Sequence, residues 1–162
     1  MFINGFDILW DEVDDYVADI QSIRSIDQLT FSKPVTFFCG ENGSGKSTLL
    51  EALAIKNGLN PEGGTRNYNF STYDSYSDLH NHMRLWRSRK PDWMYFLRAE
   101  SFYNVATKEM EYSGVFSERY HDQSHGQSFF SVLMKQTNKN GLYLLDEPEA
   151  ALSCQNQLAL LY

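Results

Sequence analysis

The chain contains 162 residues, of which 42% are hydrophobic and 15% aromatic. Chains of about 100–200 residues commonly form one domain, so we expect a single domain over residues 1–162. The aromatic content is too high for a disordered polar chain. The formal net charge of −7 disfavours a dedicated nucleic-acid-binding domain, because the surfaces of such domains are usually basic.

The sequence also lacks the marks of a membrane-bound or disulfide-rich protein. It has no apolar run of about 18 residues, the length that a membrane span requires. Its first residues do not show the basic stretch followed by an apolar one that is typical of a signal peptide. Its two cysteines, Cys39 and Cys154, form no CxxC pair, which disfavours a disulfide framework and a zinc site. These features predict a cytoplasmic protein without a membrane partner.

The clearest local pattern is a strand, a glycine-rich loop and a helix in direct succession. Residues 35–39 (VTFFC) are β-branched and aromatic, which predicts a buried strand. Glycines interrupt this strand at residues 40–45. Residues 47–56 then have the apolar spacing of a helix that ends at Gly58.

Residues 40–47 (GENGSGKS) fit the GxxxxGK[ST] pattern of a phosphate-binding loop, the Walker A motif. The glycines allow successive backbone amides to point inward, so that they form an anion cradle with the N-terminus of the next helix. Lys46 is predicted to reach the β- and γ-phosphates of a nucleotide, and the Ser47 hydroxyl to ligate Mg²⁺. The predicted ATP-binding residues of this segment are Gly40, Glu41, Asn42, Gly43, Ser44, Gly45, Lys46, Ser47 and Thr48.

Strand and helix patterns alternate downstream of this motif. A loop at residues 59–76 precedes a helix at residues 79–89, and a second strand is predicted at residues 94–97. A helix at residues 128–135 is followed by a buried strand at residues 142–145. This alternation predicts an α/β fold with a mostly parallel sheet that helices cover on both faces.

Two carboxylates follow the last predicted strand, as the partner of a phosphate-binding loop requires. Asp146 is predicted to hold Mg²⁺, directly or through water, as a Walker B aspartate. Glu147 is the candidate catalytic residue, because it is placed to orient or deprotonate the attacking water. The sequence therefore predicts ATP and Mg²⁺ as ligands, with Ser47 and Asp146 holding the metal.

A third motif indicates the family. Residues 123–127 (QSHGQ) resemble the LSGGQ signature of ABC-type ATPases, with matches at Ser124, Gly126 and Gln127. Residues 145–153 (LDEPEAALS) are similar to the LDEPTSALD run of the same proteins. Over most of its length the chain resembles the ABC-type ATPases, and most closely the soluble AAA-family ATPases with an SMC-like head, which carry GENGSGKST, LRAESF, QSHGxS and LDEPEAALS.

This resemblance implies a P-loop NTPase fold of ABC type and an ATP-sandwich homodimer. In such a dimer, Ser124, Gly126 and Gln127 of one subunit would contact the γ-phosphate of ATP held by the other. The resemblance also implies further strands and a switch histidine, so we expect the sheet of this chain to be truncated before its last strands. Glu100 is the nearest candidate for the Q-loop residue of these proteins.

Several alternatives stay open at this point. The leading function is ATP hydrolysis by the dimer, and the alternative is a nucleotide-gated binding module with little turnover. A transporter subunit is disfavoured, because residues 97–102 (LRAESF) depart from the pattern of ABC transporters at the Q-loop. The basic cluster at residues 83–90, with Trp86, predicts either a nucleic-acid contact or an ordinary solvated helix face. Tyr16 is either an adenine-stacking residue or an ordinary tyrosine.

Overall fold

The computed structural model describes residues 1–66, 76–101, 140–150 and 152–159. Its strands are β1 (Ile3–Ile8), β2 (Gln28–Thr30), β3 (Met83–Arg87), β4 (Met94–Arg98) and β5 (Leu142–Asp146). Its α-helices are α1 (Gln21–Arg24), α2 (Lys46–Lys56), α3 (Leu79–His82) and α4 (Cys154–Ala159), and two 3-10 helices span Trp10–Glu12 and Tyr16–Asp19. The described strands form a three-stranded sheet in the order β2–β1–β3 and a two-stranded sheet of β4 and β5.

β1 is the central strand of the first sheet and pairs antiparallel with β2 and β3. Phe6 lies opposite Leu29 on β2 and Leu85 on β3, and its side chain is fully buried. Gly5 permits this close pairing, because a Cβ there would lie 2.3 Å from the carbonyl oxygen of Leu29. One face of the antiparallel sheet therefore contributes to the hydrophobic core.

The second sheet pairs β4 and β5 in parallel, in a register that ends with Arg98 opposite Asp146. Four of the five residues of β4 are buried. Such a continuous apolar run is typical of a parallel strand that is covered on both faces. The register brings the carboxyl ends of both strands, and so two charged side chains, to one edge of the sheet.

Helix α2 links the phosphate-loop motif to the core. It begins after Gly45, which has a φ of +79°. Its buried residues Leu49 and Leu53 belong to the same core cluster as Phe6 of β1 and Phe96 of β4. One core therefore fixes α2 against residues of both sheets.

Three predicted elements are confirmed. The predicted helix at residues 47–56 is α2, and the predicted strands at residues 94–97 and 142–145 are β4 and β5. These segments combine a clear apolar pattern with well-defined flanking residues. The predicted helix at residues 128–135 lies outside the described residues.

The prediction of a strand at residues 35–39 is wrong. No strand is found there, and the side chains of Val35 and Phe37 are 68% and 77% exposed. The apolar composition indicated burial, but a strand also needs a neighbouring backbone to accept and donate its hydrogen bonds. None of the described strands pairs with this segment.

A mostly parallel sheet is likewise not observed among the described residues, since β1, β2 and β3 are antiparallel. The helix predicted at residues 79–89 also ends early, at His82, and β3 follows. Pairing with β1 overrides the helical pattern, which is common for short segments with mixed preferences. Trp86 reinforces the pairing, because its indole Nε1 donates a 2.8 Å hydrogen bond to Oδ1 of Asp7.

Candidate functional site

Residues 40–45 form a tight turn that ends at the N-terminus of α2. Gly43 and Gly45 have φ angles of +81° and +79°, a left-handed conformation that favours glycine. A Cβ at Gly40 would lie 2.8 Å from Oγ of Ser44, whose amide donates to the carbonyl oxygen of Glu41 at 3.2 Å. This compact backbone, followed by the free amides of a helix N-terminus, is compatible with an anion cradle.

The side chain of Lys46 folds back along this loop. Its ammonium group donates hydrogen bonds to the carbonyl oxygens of Gly40, at 2.9 Å, and Glu41, at 2.8 Å. Both bonds are exposed to solvent. They can therefore be exchanged for bonds to an anion bound by the loop at little cost.

A segment upstream of the loop supports it, and the sequence analysis missed this contact. Oγ of Ser22 in α1 donates a 2.6 Å hydrogen bond to the carbonyl oxygen of Ser44. The side chain of Ile23 lies so close to the loop that a Cβ at Gly45 would be 2.4 Å from its Cδ1. No pattern in this short polar segment signals the contact, which depends entirely on tertiary packing.

The segments predicted as Walker A and Walker B motifs meet at the carboxyl end of β5. Oγ of Ser47 donates a 2.9 Å hydrogen bond to Oδ1 of Asp146, although the two residues are 99 positions apart. Asp146 is buried, and this burial raises the pKa of its carboxyl group, while the Ser47 hydrogen bond and Arg98 act in the opposite direction. A carboxylate beside a hydroxyl is an all-oxygen donor set that suits Mg²⁺, so these residues fit the predicted metal.

Two charged residues that were not predicted for the site adjoin it, since Arg98 contacts Asp146 and Glu51 contacts Arg98. Arg98, at the end of β4, forms ion pairs with Glu51 of α2 at 2.5 Å and with Asp146 at 3.5 Å. Burial raises the pKa of Glu51, and the charge of Arg98 opposes that rise. Glu51 stands four positions after Ser47, so helical spacing places it on the same face of α2, which is a signal that the sequence did carry.

Glu147 directly follows β5 and is exposed. Its φ is +49°, which makes it the one non-glycine residue with a positive φ in the described part of the chain. The left-handed region costs a residue with a Cβ about 1–2 kcal/mol. Such local strain is concentrated at functional sites, where a side chain must point in a required direction.

The structure describes some of the remaining predicted site residues and not others. Glu41 and Asn42 are exposed in the loop, and Thr48 is half-buried in the first turn of α2. The signature residues, predicted to contact ATP of the other subunit, lie outside the described residues: Ser124, Gly126 and Gln127. Glu100 is exposed and lies 3.7 Å from Arg98.

The basic cluster at residues 83–90 belongs to β3 and the residues that follow, not to a helix. Arg84 lies 3.7 Å from Asp7, and Arg87 donates to the carbonyl oxygen of Lys56 at the end of α2. The guanidinium carbon of Arg89 stands 4.5 Å from the ring centroid of Phe2. These three arginines therefore have intramolecular contacts that account for them without a nucleic acid.

Together, these features define the class of the site. The site matches what is expected of a P-loop nucleotide site. It has a glycine loop at a helix N-terminus, a lysine beside that loop, and a serine bonded to an aspartate at the end of a parallel strand. Residues 18–81 are similar to a protein family described as AAA domain, a match that covers about two-fifths of the chain. It includes the phosphate loop and α2 but not β5, and it supports a P-loop NTPase.

Neither the curated proteins nor the solved structures contain a match to this chain. Among the helices that the structure describes, none is both long and apolar enough to span a membrane.

The strain at Glu147 leads to a prediction about stability. Glycine at this position removes the cost of the left-handed backbone, and it loses about 0.5–1 kcal/mol of chain entropy on folding. We therefore expect Glu147→Gly to be as stable as the wild type or about 0.5 kcal/mol more stable in urea unfolding. The matched control Glu149→Gly, at an exposed position without positive φ, should lose about 0.5–1 kcal/mol. Equal losses in both variants would contradict the strain.

Proposed function

We propose that the protein binds ATP with Mg²⁺ and hydrolyses it as an ABC-type ATPase of the cytoplasm. The observation that carries the proposal is the 2.9 Å hydrogen bond between Ser47 and Asp146, which joins the two motifs that act together on a nucleotide. The similarity of residues 18–81 to the AAA domain family supports nucleotide binding in general. The ABC-type assignment rests on the signature-like residues 123–127 and on residues 145–153.

In this proposal the loop amides and Lys46 bind the phosphates of ATP. Lys46 exchanges its two carbonyl partners for phosphate oxygens, which carry more negative charge. Ser47 and Asp146 would hold Mg²⁺, which would supply positive charge to offset that of the phosphate oxygens. The raised pKa of Asp146 supports this assignment, because burial leaves its charge incompletely compensated and a cation would compensate it.

Glu147 takes the catalytic role. The residue is exposed, and its left-handed backbone turns the chain sharply at the end of β5, next to the proposed metal ligand. From there its carboxylate would accept a proton from the attacking water, or orient that water by a hydrogen bond. A second subunit completes the site with Ser124, Gly126 and Gln127, whose hydroxyl, amide and side-chain donors suit an anion.

Turnover by three proteins tests the catalytic proposal. Wild type should release phosphate from ATP only with Mg²⁺, and Lys46→Ala should lose nucleotide binding together with turnover. Glu147→Gln should bind ATP normally and hydrolyse it at least about 100-fold more slowly, the typical contribution of a general base. An unchanged rate in Glu147→Gln would contradict the role of Glu147. Binding without turnover in the wild type would favour the nucleotide-gated module.

The dimer requires its own test, in which the slow variant traps the ATP-bound state. Light scattering on Glu147→Gln should give a mass of one chain, 18.8 kDa, without nucleotide and twice that mass with ATP and Mg²⁺. Lys46→Ala, the control, should remain a monomer under both conditions. A persistent Glu147→Gln monomer that nevertheless binds ATP would contradict the sandwich dimer.

A further inference from the structure

We propose that Arg98 is a positioning residue, which fixes the carboxylate of Asp146 in the orientation that holds Mg²⁺. This inference rests on the proposed function, since it concerns the same metal ligand. It assigns a role to an arginine that belongs to neither Walker motif.

The two oxygens of the Asp146 carboxylate have different partners. Oδ1 accepts the hydrogen bond from Ser47, and Oδ2 lies 3.5 Å from Nε of Arg98. Contacts to both oxygens restrain the rotation of a carboxylate about its terminal bond more than a contact to one oxygen does. Ser47 alone would leave that rotation open, so Arg98 supplies the second restraint.

The same guanidinium group is itself held in place. Nη1 of Arg98 contacts Oε2 of Glu51 at 2.5 Å and the carbonyl oxygen of Pro61 at 3.4 Å, and Nη2 lies 3.7 Å from Glu100. The side chains of Arg98, Glu51 and Asp146 are 22%, 10% and 8% exposed. Charges that are so little exposed to water interact strongly, and their partners are costly to remove.

Only arginine can make these contacts together. Its planar group presents five donors in a fixed fork, whereas lysine offers a single compact charge on a flexible stem. Arg98 thereby connects α2, through Glu51, to the end of β5, through Asp146. Ser47 also lies on α2, so Arg98 and Ser47 restrain the relative position of the two elements that hold the metal.

The test measures how Mg²⁺ strengthens nucleotide binding, which does not require turnover. Each protein is titrated with a ribose-labelled fluorescent ATP, first in EDTA and then, without EDTA, at increasing Mg²⁺ concentrations. Arg98→Met should keep the affinity for the nucleotide in EDTA, because the phosphate loop is intact. The variant should need about 10–100-fold more Mg²⁺ to reach half of the increase in ATP affinity that the metal produces. This range is typical of the loss of a residue that orients a metal ligand without touching the metal.

Two further variants separate positioning from stability. Arg87→Met is the matched control, because Arg87 also ends a strand and holds α2, at its far end, by donating to Lys56 and Asn57. It should lower the thermal midpoint and leave the Mg²⁺ requirement unchanged. Arg98→Lys should recover most of the stability that Arg98→Met loses but retain a raised Mg²⁺ requirement, and it decides the question if Arg98→Met does not fold.

The results that would contradict the role of Arg98 differ from those that would also contradict the proposed function. A wild-type Mg²⁺ requirement in both Arg98 variants overturns the inference and leaves the proposed function intact. A lower requirement also overturns it, since Arg98 would then compete with the metal. A wild type that binds no nucleotide, or binds it equally with and without Mg²⁺, overturns the proposed function and this inference together.

Discussion

The burial of one negative charge, on Asp146, governs the arrangement of the site. A carboxylate removed from water must be compensated by hydrogen bonds or by opposite charge. Here a hydroxyl from α2 and a guanidinium group from β4 provide that compensation from two sides. Its raised pKa indicates that the compensation is incomplete, which leaves the carboxylate suited to a further cation. The positions of α2, β4 and β5 are therefore linked through a single side chain.

The hydrophobic core serves the same arrangement. Residues of both sheets pack on the buried face of α2, so the helix that carries the phosphate loop cannot move independently of the strands. The loop itself relies on glycines at left-handed backbone positions and on the hydrogen bond from Ser22. Glu147 departs from this pattern, because it adopts a left-handed backbone with a full side chain. Stability and the proposed chemistry therefore make opposite demands at that residue.

The sequence was most informative where a local pattern and a chemical requirement coincide. The Walker A spacing placed the start of α2 within one residue, and four apolar residues before Asp146 identified β5. Residues 35–39 have an equally apolar pattern but form no strand, because pairing depends on a neighbour that local composition does not specify. The antiparallel sheet escaped prediction for a similar reason, since β3 becomes a strand through its contact with β1.

The candidate site was likewise predicted only in part. Ser47 and Asp146 were predicted from their motifs, and they lie within hydrogen-bonding distance. Arg98 was not predicted to lie beside Asp146, because this contact depends on the parallel register of β4 and β5. Ser22 carried no signal at all. A contact that depends on register or on helix docking cannot be inferred from spacing along the chain.

Calorimetric titration of the wild type and of Asp146→Asn with ATP, in EDTA and in Mg²⁺, shows whether the buried carboxylate of Asp146 holds the metal. Asparagine can still accept the hydrogen bond from Ser47, but it lacks the charge that holds a divalent cation. We expect both proteins to bind ATP in EDTA, and only the wild type to bind it more tightly with Mg²⁺. An Asp146→Asn variant with the same gain from Mg²⁺, or a wild type that binds no ATP, would contradict this expectation.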